Sequence, residues 1–250
     1  VEYTDRELMV VAAAREIRDG ERVFVGMRLP LLAFAKRTHA PRAIGLFENG
    51  IVRDSPAPET LMTMSDTPNI PGALWSTSTV NMLAMLQRGA VDLGFIGGAE
   101  VDRYGNLNTS YLGDWRRPTL KLPGGGGGPD IASLARRFVI IMPQERRRFK
   151  ERVDFITSPG HGDGPGWRRR VGLVGGGPST LITTLGTFRF HPETKEAVLV
   201  SYHPGQSVDR VRAETGWELS VPPDVAETPV PTPEELSIVR QCDPEGFWTR

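Results

Sequence analysis

Ile44-Gly45-Leu46-Phe47-Glu48-Asn49-Gly50-Ile51-Val52 sets an ionisable group directly after an apolar run that reads as a buried strand. Asn49-Gly50 is a turn-forming pair, so the Glu48 carboxylate is expected at the end of that strand, at the edge of a sheet. Open α/β sheets keep their chemistry at such strand ends. Position alone also fits an ordinary turn carboxylate, and the rest of the chain has to decide.

Upstream of this stretch, Arg22-Val23-Phe24-Val25-Gly26 reads as a short strand and Leu31 to Arg37 as a helix. The order is therefore strand, helix, strand, and repeated units of this kind imply a parallel sheet covered by helices. Before it, Thr4-Asp5-Arg6-Glu7 has the spacing of a capping box, and Leu8, Val11, Ala12 and Ile17 carry a helical period until Asp19-Gly20 stops it. Downstream, a Pro-rich connection from Ser55 to Pro71 gives way to a helix over Ser78 to Arg88 and a buried strand over Val91 to Gly97. Phe138 to Met142 reads as a further strand, preceded by a short helix over Ile131 to Arg136. Thr183 to Phe190 and Ala197 to Tyr202 flank His191-Pro192-Glu193-Thr194-Lys195 as an antiparallel hairpin, and Ser207 caps a helix over Asp209 to Glu214. The fold class expected is α/β: an open, mostly parallel sheet with helices on both faces and an antiparallel hairpin in the C-terminal part.

A chain of 250 residues with 39% hydrophobic content can bury one large core. The expected division is a main domain over residues 1–220 and an extension over residues 221–250, where Pro222, Pro223, Pro229, Pro231 and Pro233 bar a regular element across its start. Thirty basic and thirty acidic side chains cancel, which gives no electrostatic argument for a nucleic acid or an anionic membrane as partner. Arg116-Arg117, Arg146-Arg147-Arg148 and Arg168-Arg169-Arg170 read as solvated faces, with attraction of a phosphorylated ligand or an acidic surface as the alternative. Cys242 is the single cysteine, so no intrachain disulfide is possible and a reducing cytoplasm is the simplest compartment. No stretch approaches the roughly 18 apolar residues that a membrane helix needs.

Three segments that follow predicted strands could carry chemistry. The first is Glu48-Asn49-Gly50; the second runs Gly97-Gly98-Ala99-Glu100-Val101-Asp102-Arg103-Tyr104-Gly105-Asn106-Leu107-Asn108; the third is Gly124 through Gly128, ahead of Pro129-Asp130-Ile131. Five consecutive glycines lose much conformational freedom on folding. Without Cβ atoms their amides can approach a ligand closely and stabilise negative charge, although a loose surface loop has the same composition. No Gly-Lys-Ser/Thr follows, no dinucleotide fingerprint occupies the first strand-helix turn, and no Gly-x-Ser-x-Gly elbow is present. His39, His161, His191 and His203 are scattered, so no metal site is expected, and His161 is the one with a glycine-rich loop around it. Nucleophilic catalysis by a carboxylate remains open.

Leu46-Phe47-Glu48-Asn49-Gly50-Ile51-Val52, Gly97 through Asn106, and Gly125-Gly126-Gly127-Gly128-Pro129-Asp130-Ile131-Ala132 together resemble the β subunit of class I coenzyme A transferases, nearest the glutaconate branch. Val153 to Gly160, Thr184 to Phe188 and Val200 to Gly205 extend the likeness to about Leu219. The family's glutamate falls on Glu48. The resemblance implies that this carboxylate attacks an acyl-CoA thioester and comes to carry CoA as a glutamyl thioester. Backbone amides of Gly126, Gly127 and Gly128 would face the oxyanions. Asn49 and Gly50 would aim the glutamate, and Gly98, Ala99, Glu100 and Asn106 would shape the acyl pocket. No permanently bound cofactor is implied, coenzyme A thioester being the substrate. The partner implied is a homologous α subunit in an (αβ)2 or larger hetero-oligomer. Arg53-Asp54 departs from the signature, which prefers a small residue there. Acyl-CoA hydrolases and decarboxylases share the scaffold, as would a noncatalytic partner-stabilising subunit, so these stay as alternatives.

Overall fold

The computed structural model describes residues 2–25, 39–55, 57–59 and 61–249, and the helix expected over Leu31 to Arg37 lies outside them. Two compact units are present: Val1–Phe95 with Val230–Arg250, and Ile96–Pro229.

The first unit opens on helix α1 (Asp5–Ala14), where the Thr4 hydroxyl accepts the Glu7 amide at 3.1 Å and the Glu7 carboxylate accepts the Thr4 amide at 2.9 Å. This is the capping box that the sequence spells. The helix stops at Ala14 rather than running to Asp19. Its sheet is ordered β5 (Leu93–Ile96), β1 (Arg22–Val25), β2 (Ile44–Phe47), β3 (Ile51–Arg53) and β4 (Trp75–Ser76). The pairs on either side of β1 are parallel, with Phe24 opposite Leu46 and Gly94. Val23, Phe24, Val25, Leu93 and Phe95 are all buried, as parallel strands covered on both faces require. β3 and β4 then add antiparallel at the margin. Helix α2 (Thr79–Gln87) follows, capped by Ser78.

The Pro-rich terminus joins this unit. Thr232 builds a second capping box with Glu235, Pro233 stands in the first turn, and helix α6 (Pro233–Cys242) results. Proline is tolerated there because its missing N–H would have had no partner. Val239 and Trp248 form one cluster with Val10 and Val11 of α1. Two ion pairs lock the helices: Arg240 with Glu7 at 2.7 Å and Arg15 with Glu235 at 2.7 Å.

In the second unit, β10 (Arg137–Ile141) pairs parallel with β12 (Pro178–Ile182), which pairs antiparallel with β13 (Gly186–Phe190), and β14 (Ala197–Tyr202) completes the expected hairpin. β15 (Ala226–Glu227) adds parallel to β14. A second sheet joins β11 (Phe149–Lys150), β6 (Glu100–Asp102) and β7 (Leu107–Asn108), and β8 (Tyr111–Leu112) pairs with β9 (Leu120–Lys121). Three details differ from the sequence reading. β12 is not marked by any apolar period, because Pro178, Ser179 and Thr180 interrupt it. β13 begins at Gly186 rather than Thr183, since the Thr183 hydroxyl takes the Leu185 and Gly186 amides and turns the chain. Helix α3 (Gly128–Leu134) starts inside the glycine run, where Pro129 presets the first turn, and ends at the extended Ala135. Helices α4 (Trp167–Arg170) and α5 (Val208–Ala213) are short, the latter capped by Ser207 as expected. Among the described residues no helix is long and apolar enough to cross a membrane.

Trp248 is buried against α1 and α6, and its indole N–H donates to the Leu61 carbonyl. Trp248→Ala should therefore cost about 3–5 kcal/mol in urea unfolding. The neighbouring Phe247, 51% exposed, should cost only about 1 kcal/mol when changed to Ala.

Candidate functional site

Glu48, Asn49 and Gly50 are the three-residue turn of the β2–β3 hairpin, closed by the Gly50 amide donating to Phe47 O at 3.0 Å. Gly50 has φ +104°, and a Cβ there would lie 2.2 Å from the Thr77 carbonyl oxygen. The Thr77 amide donates to Gly50 O at 2.8 Å, which bolts the turn to the start of α2. Asn49 donates from Nδ2 to Met64 O at 2.8 Å. The Glu48 side chain is partly exposed and has no hydrogen bond or ion pair among the described residues. The carboxylate is thus free on a backbone that is fixed.

Glu100, of the same residue type, is the opposite case. Its carboxylate is 2% exposed, accepts Asn108 Nδ2 at 2.7 Å and the Asp154 amide at 3.1 Å, and pairs with Lys150 Nζ at 2.5 Å. Asn106 is equally committed: Nδ2 donates to the Asp102 carboxylate and to Gly162 O, and Oδ1 accepts the Gly160 and Gly162 amides. Burial pushes the Asp102 carboxyl up to about 6, against the Asn106, Tyr104 and Val153 donors that hold it down. Both residues support the loop from beneath. Ala99 ties to Asn108 through a backbone bond of 2.9 Å, and Gly98 lies so close to Leu107 that a Cβ would come within 2.9 Å of its side chain.

The two glycine-rich loops of the second unit meet on a seam that sequence reasoning missed. Leu107 and Ser158 exchange backbone bonds, Thr157 Oγ1 accepts the Thr109 amide at 3.0 Å, and the Gly124 amide donates to Thr109 O at 2.8 Å. Positions 125 and 128 lie against the Thr157 methyl and the Ser158 hydroxyl. The signal lies in Val153 to Gly160, a stretch whose likeness to the family carries no role of its own. The Gly128 amide donates to Gly125 O at 2.9 Å. The amides of Gly126 and Gly127 donate to nothing among the described residues.

His161 and Arg168 turn out to be internal struts. His161 Nε2 lies 3.2 Å from Pro178 O, which can only accept, so Nε2 carries the proton. Burial lowers its pKa to about 4. Arg168, from a triplet that reads as a solvated face, is buried and donates to the carbonyls of Gly175, Pro159, Gly160, Ala132 and Ser133. Its charge sits at the C-terminus of α3, where the helix dipole favours a cation. Among the described residues no three His, Cys, Asp or Glu side chains converge as a metal would require.

The family model described as "Coenzyme A transferase" matches residues 6–214. The chain is 38% identical over 249 residues to the β subunit of 3-oxoadipate CoA-transferase from Pseudomonas knackmussii, covering 96% of this chain and 94% of that one. It is 35% identical over 247 residues to the β subunit of glutaconate CoA-transferase from Acidaminococcus fermentans, covering 96% and 92%. The crystal structure of glutaconate coenzyme A-transferase from that organism superposes with a TM-score of 0.92 at 32% identity, over 100% of this chain and 98% of its own.

Two outcomes follow from the geometry. Gly50→Ala should cost more than about 2 kcal/mol in unfolding free energy, because a positive φ and a carbonyl clash add. Gly20→Ala, also at positive φ but with nothing within 4 Å, should cost about 1 kcal/mol. For His161 the folded pKa lies below the unfolded value of 6.5, so the unfolded chain binds the proton first. Wild-type stability should then fall, relative to His161→Gln, as pH drops from 6.5 to about 4, by a total of about 3 kcal/mol.

Proposed function

The chain belongs to the coenzyme A transferase family, and from that premise we propose that it is the β subunit of a CoA-transferase in which Glu48 is the nucleophile. The observation that carries the assignment is the Glu48 turn: a carboxylate without a partner among the described residues, on a backbone clamped by Gly50 and Asn49. A nucleophile needs that combination, free lone pairs on a group with little freedom left to lose.

In the proposed reaction the Glu48 carboxylate attacks the thioester carbonyl of an acyl-CoA and expels CoA thiolate, leaving an acyl-glutamyl anhydride. The thiolate then attacks the glutamyl carbonyl, releasing the first acid and forming a glutamyl-CoA thioester. An acceptor carboxylate attacks that thioester, and the thiolate returned takes the new acyl group and frees Glu48. Group-transfer energy is conserved at each step, so no ATP and no resident cofactor enter. Every addition develops an oxyanion, and the unspent amides of Gly126 and Gly127 are its proposed donors. The loop carrying Gly98 and Ala99 is the proposed wall of the acyl pocket, held in shape by Glu100 and Asn106 beneath it.

Its partner is a homologous α subunit, as the names of the relatives, each one subunit of a larger enzyme, support, and an (αβ)2 or larger assembly is the proposed stoichiometry. A dicarboxylic or 3-oxo acid is the proposed acyl class, from those same names. A reducing cytoplasm suits the lone Cys242, which is free and partly buried.

The αβ complex incubated with an acyl-CoA should show a mass increase on the Glu48 peptide after hydroxylamine trapping, as the hydroxamate, and a mass decrease after borohydride, which reduces the thioester to the alcohol. Glu48→Ala should lower exchange by at least about 10³-fold. Full exchange by that variant would refute the mechanism. Release of free CoA at an undiminished rate without acceptor acid would assign the same site to hydrolysis instead.

A further inference from the structure

Arg53 stands three residues beyond Gly50, where the family signature favours a small side chain, and its contacts account for the departure. The guanidinium is 2% exposed. Nε donates to Ser55 O at 3.1 Å, and Nη1 donates to Asn69 O and Pro71 O at 2.7 Å each. Those carbonyls belong to both ends of the Pro-rich connection, so one side chain draws the connection into a closed loop. Within that loop the Asp66 carboxylate accepts the Met62 and Thr63 amides, and the Asn69 amide donates to Asp66 O. The Met64 carbonyl is thereby held still, and it receives two side-chain amides, Asn69 Nδ2 and Asn49 Nδ2, each at 2.8 Å. Asn69 is 0% exposed. A single path of hydrogen bonds therefore runs from Arg53 through Asn69 and Met64 to Asn49, the residue next to Glu48.

We propose that Arg53 and Asn69 are positioning residues for Glu48, acting through the Met64 carbonyl on the Asn49 side chain. The proposal rests on Glu48 being the nucleophile. Gly50 fixes the backbone at one end of the turn, and this path fixes the other. The loop thereby sets the direction in which the carboxylate meets the thioester, without touching substrate. Loss of the path leaves Glu48 present but loosely aimed. Small misplacements of a reacting group slow chemistry by about ten- to a hundredfold while leaving substrate binding nearly intact.

The test is a cycle on the αβ complex with Asn69→Ala, Asn49→Ala and the double variant, reading kcat, KM for acyl-CoA, the rate of Glu48 labelling and the melting temperature. Asn69→Ala should lower kcat and the labelling rate about tenfold or more, with KM changed less than about twofold. In the Asn49→Ala background the further loss of kcat from Asn69→Ala should vanish, because both side chains act through one carbonyl. Arg53→Lys should retain more activity than Arg53→Met. An equal kcat loss from Asn69→Ala in both backgrounds, or no loss at all, overturns the positioning role. If Asn69→Ala does not fold, Asn69→Leu, which keeps the branched shape and removes the donor, takes its place in the cycle. Glu48→Ala run alongside separates the two ideas. A dead Glu48→Ala with unaffected Asn69→Ala defeats positioning alone, and an active Glu48→Ala defeats the nucleophile and positioning together.

Discussion

At position 50 a Cβ would come within 2.2 Å of the Thr77 carbonyl oxygen, a distance that only a glycine can occupy, with φ at +104°. That approach, with the Thr77-to-Gly50 hydrogen bond of 2.8 Å, makes β2, β3, β4 and the cap of α2 one piece. The Glu48 turn inherits its rigidity from this contact. A hairpin turn of three residues standing free in solvent would be among the more mobile parts of a protein. Here it is held by the backbone on one side and by Asn49 on the other.

The chain uses its polar side chains in two distinct ways. Glu100, Asn106, Asp102, Arg168 and His161 are buried with their partners close by, and they hold loops in place from within. A buried polar group or charge left without a partner would be destabilising, which is why each of these is surrounded by donors or acceptors. Glu48 has no such commitment among the described residues and keeps its oxygens available. Membership in a pattern of polar loop residues did not distinguish the two groups; burial did.

Much of the architecture was legible in the chain. The capping box at Thr4 and Glu7, the Asn-Gly turn, the Ser207 cap and the hairpin about His191 are local signals, each written within a few residues. What escaped reading depends on groups far apart in sequence. Helix α6 folds because its apolar side meets Val10 and Val11, more than two hundred residues earlier. Arg168 looked like part of a solvated run because the five carbonyls that it binds come from three other segments.

The sequence by itself determined the kinds of chemistry that are open: a carboxylate after a buried strand, two glycine-rich loops, and no triad, phosphate loop or spaced metal ligands. These are statements about residue type and spacing, and local sterics enforce them. Only the tertiary structure decided which polar groups are spent. It showed the Gly128 amide taken by Gly125, Glu100 paired with Lys150, Arg53 turned inward to the Ser55, Asn69 and Pro71 carbonyls, and Glu48 left without a partner among the described residues. The physical reason is that a hydrogen-bonding group is available for chemistry only when nothing else satisfies it, and its competitors arrive through long-range packing that no local pattern encodes.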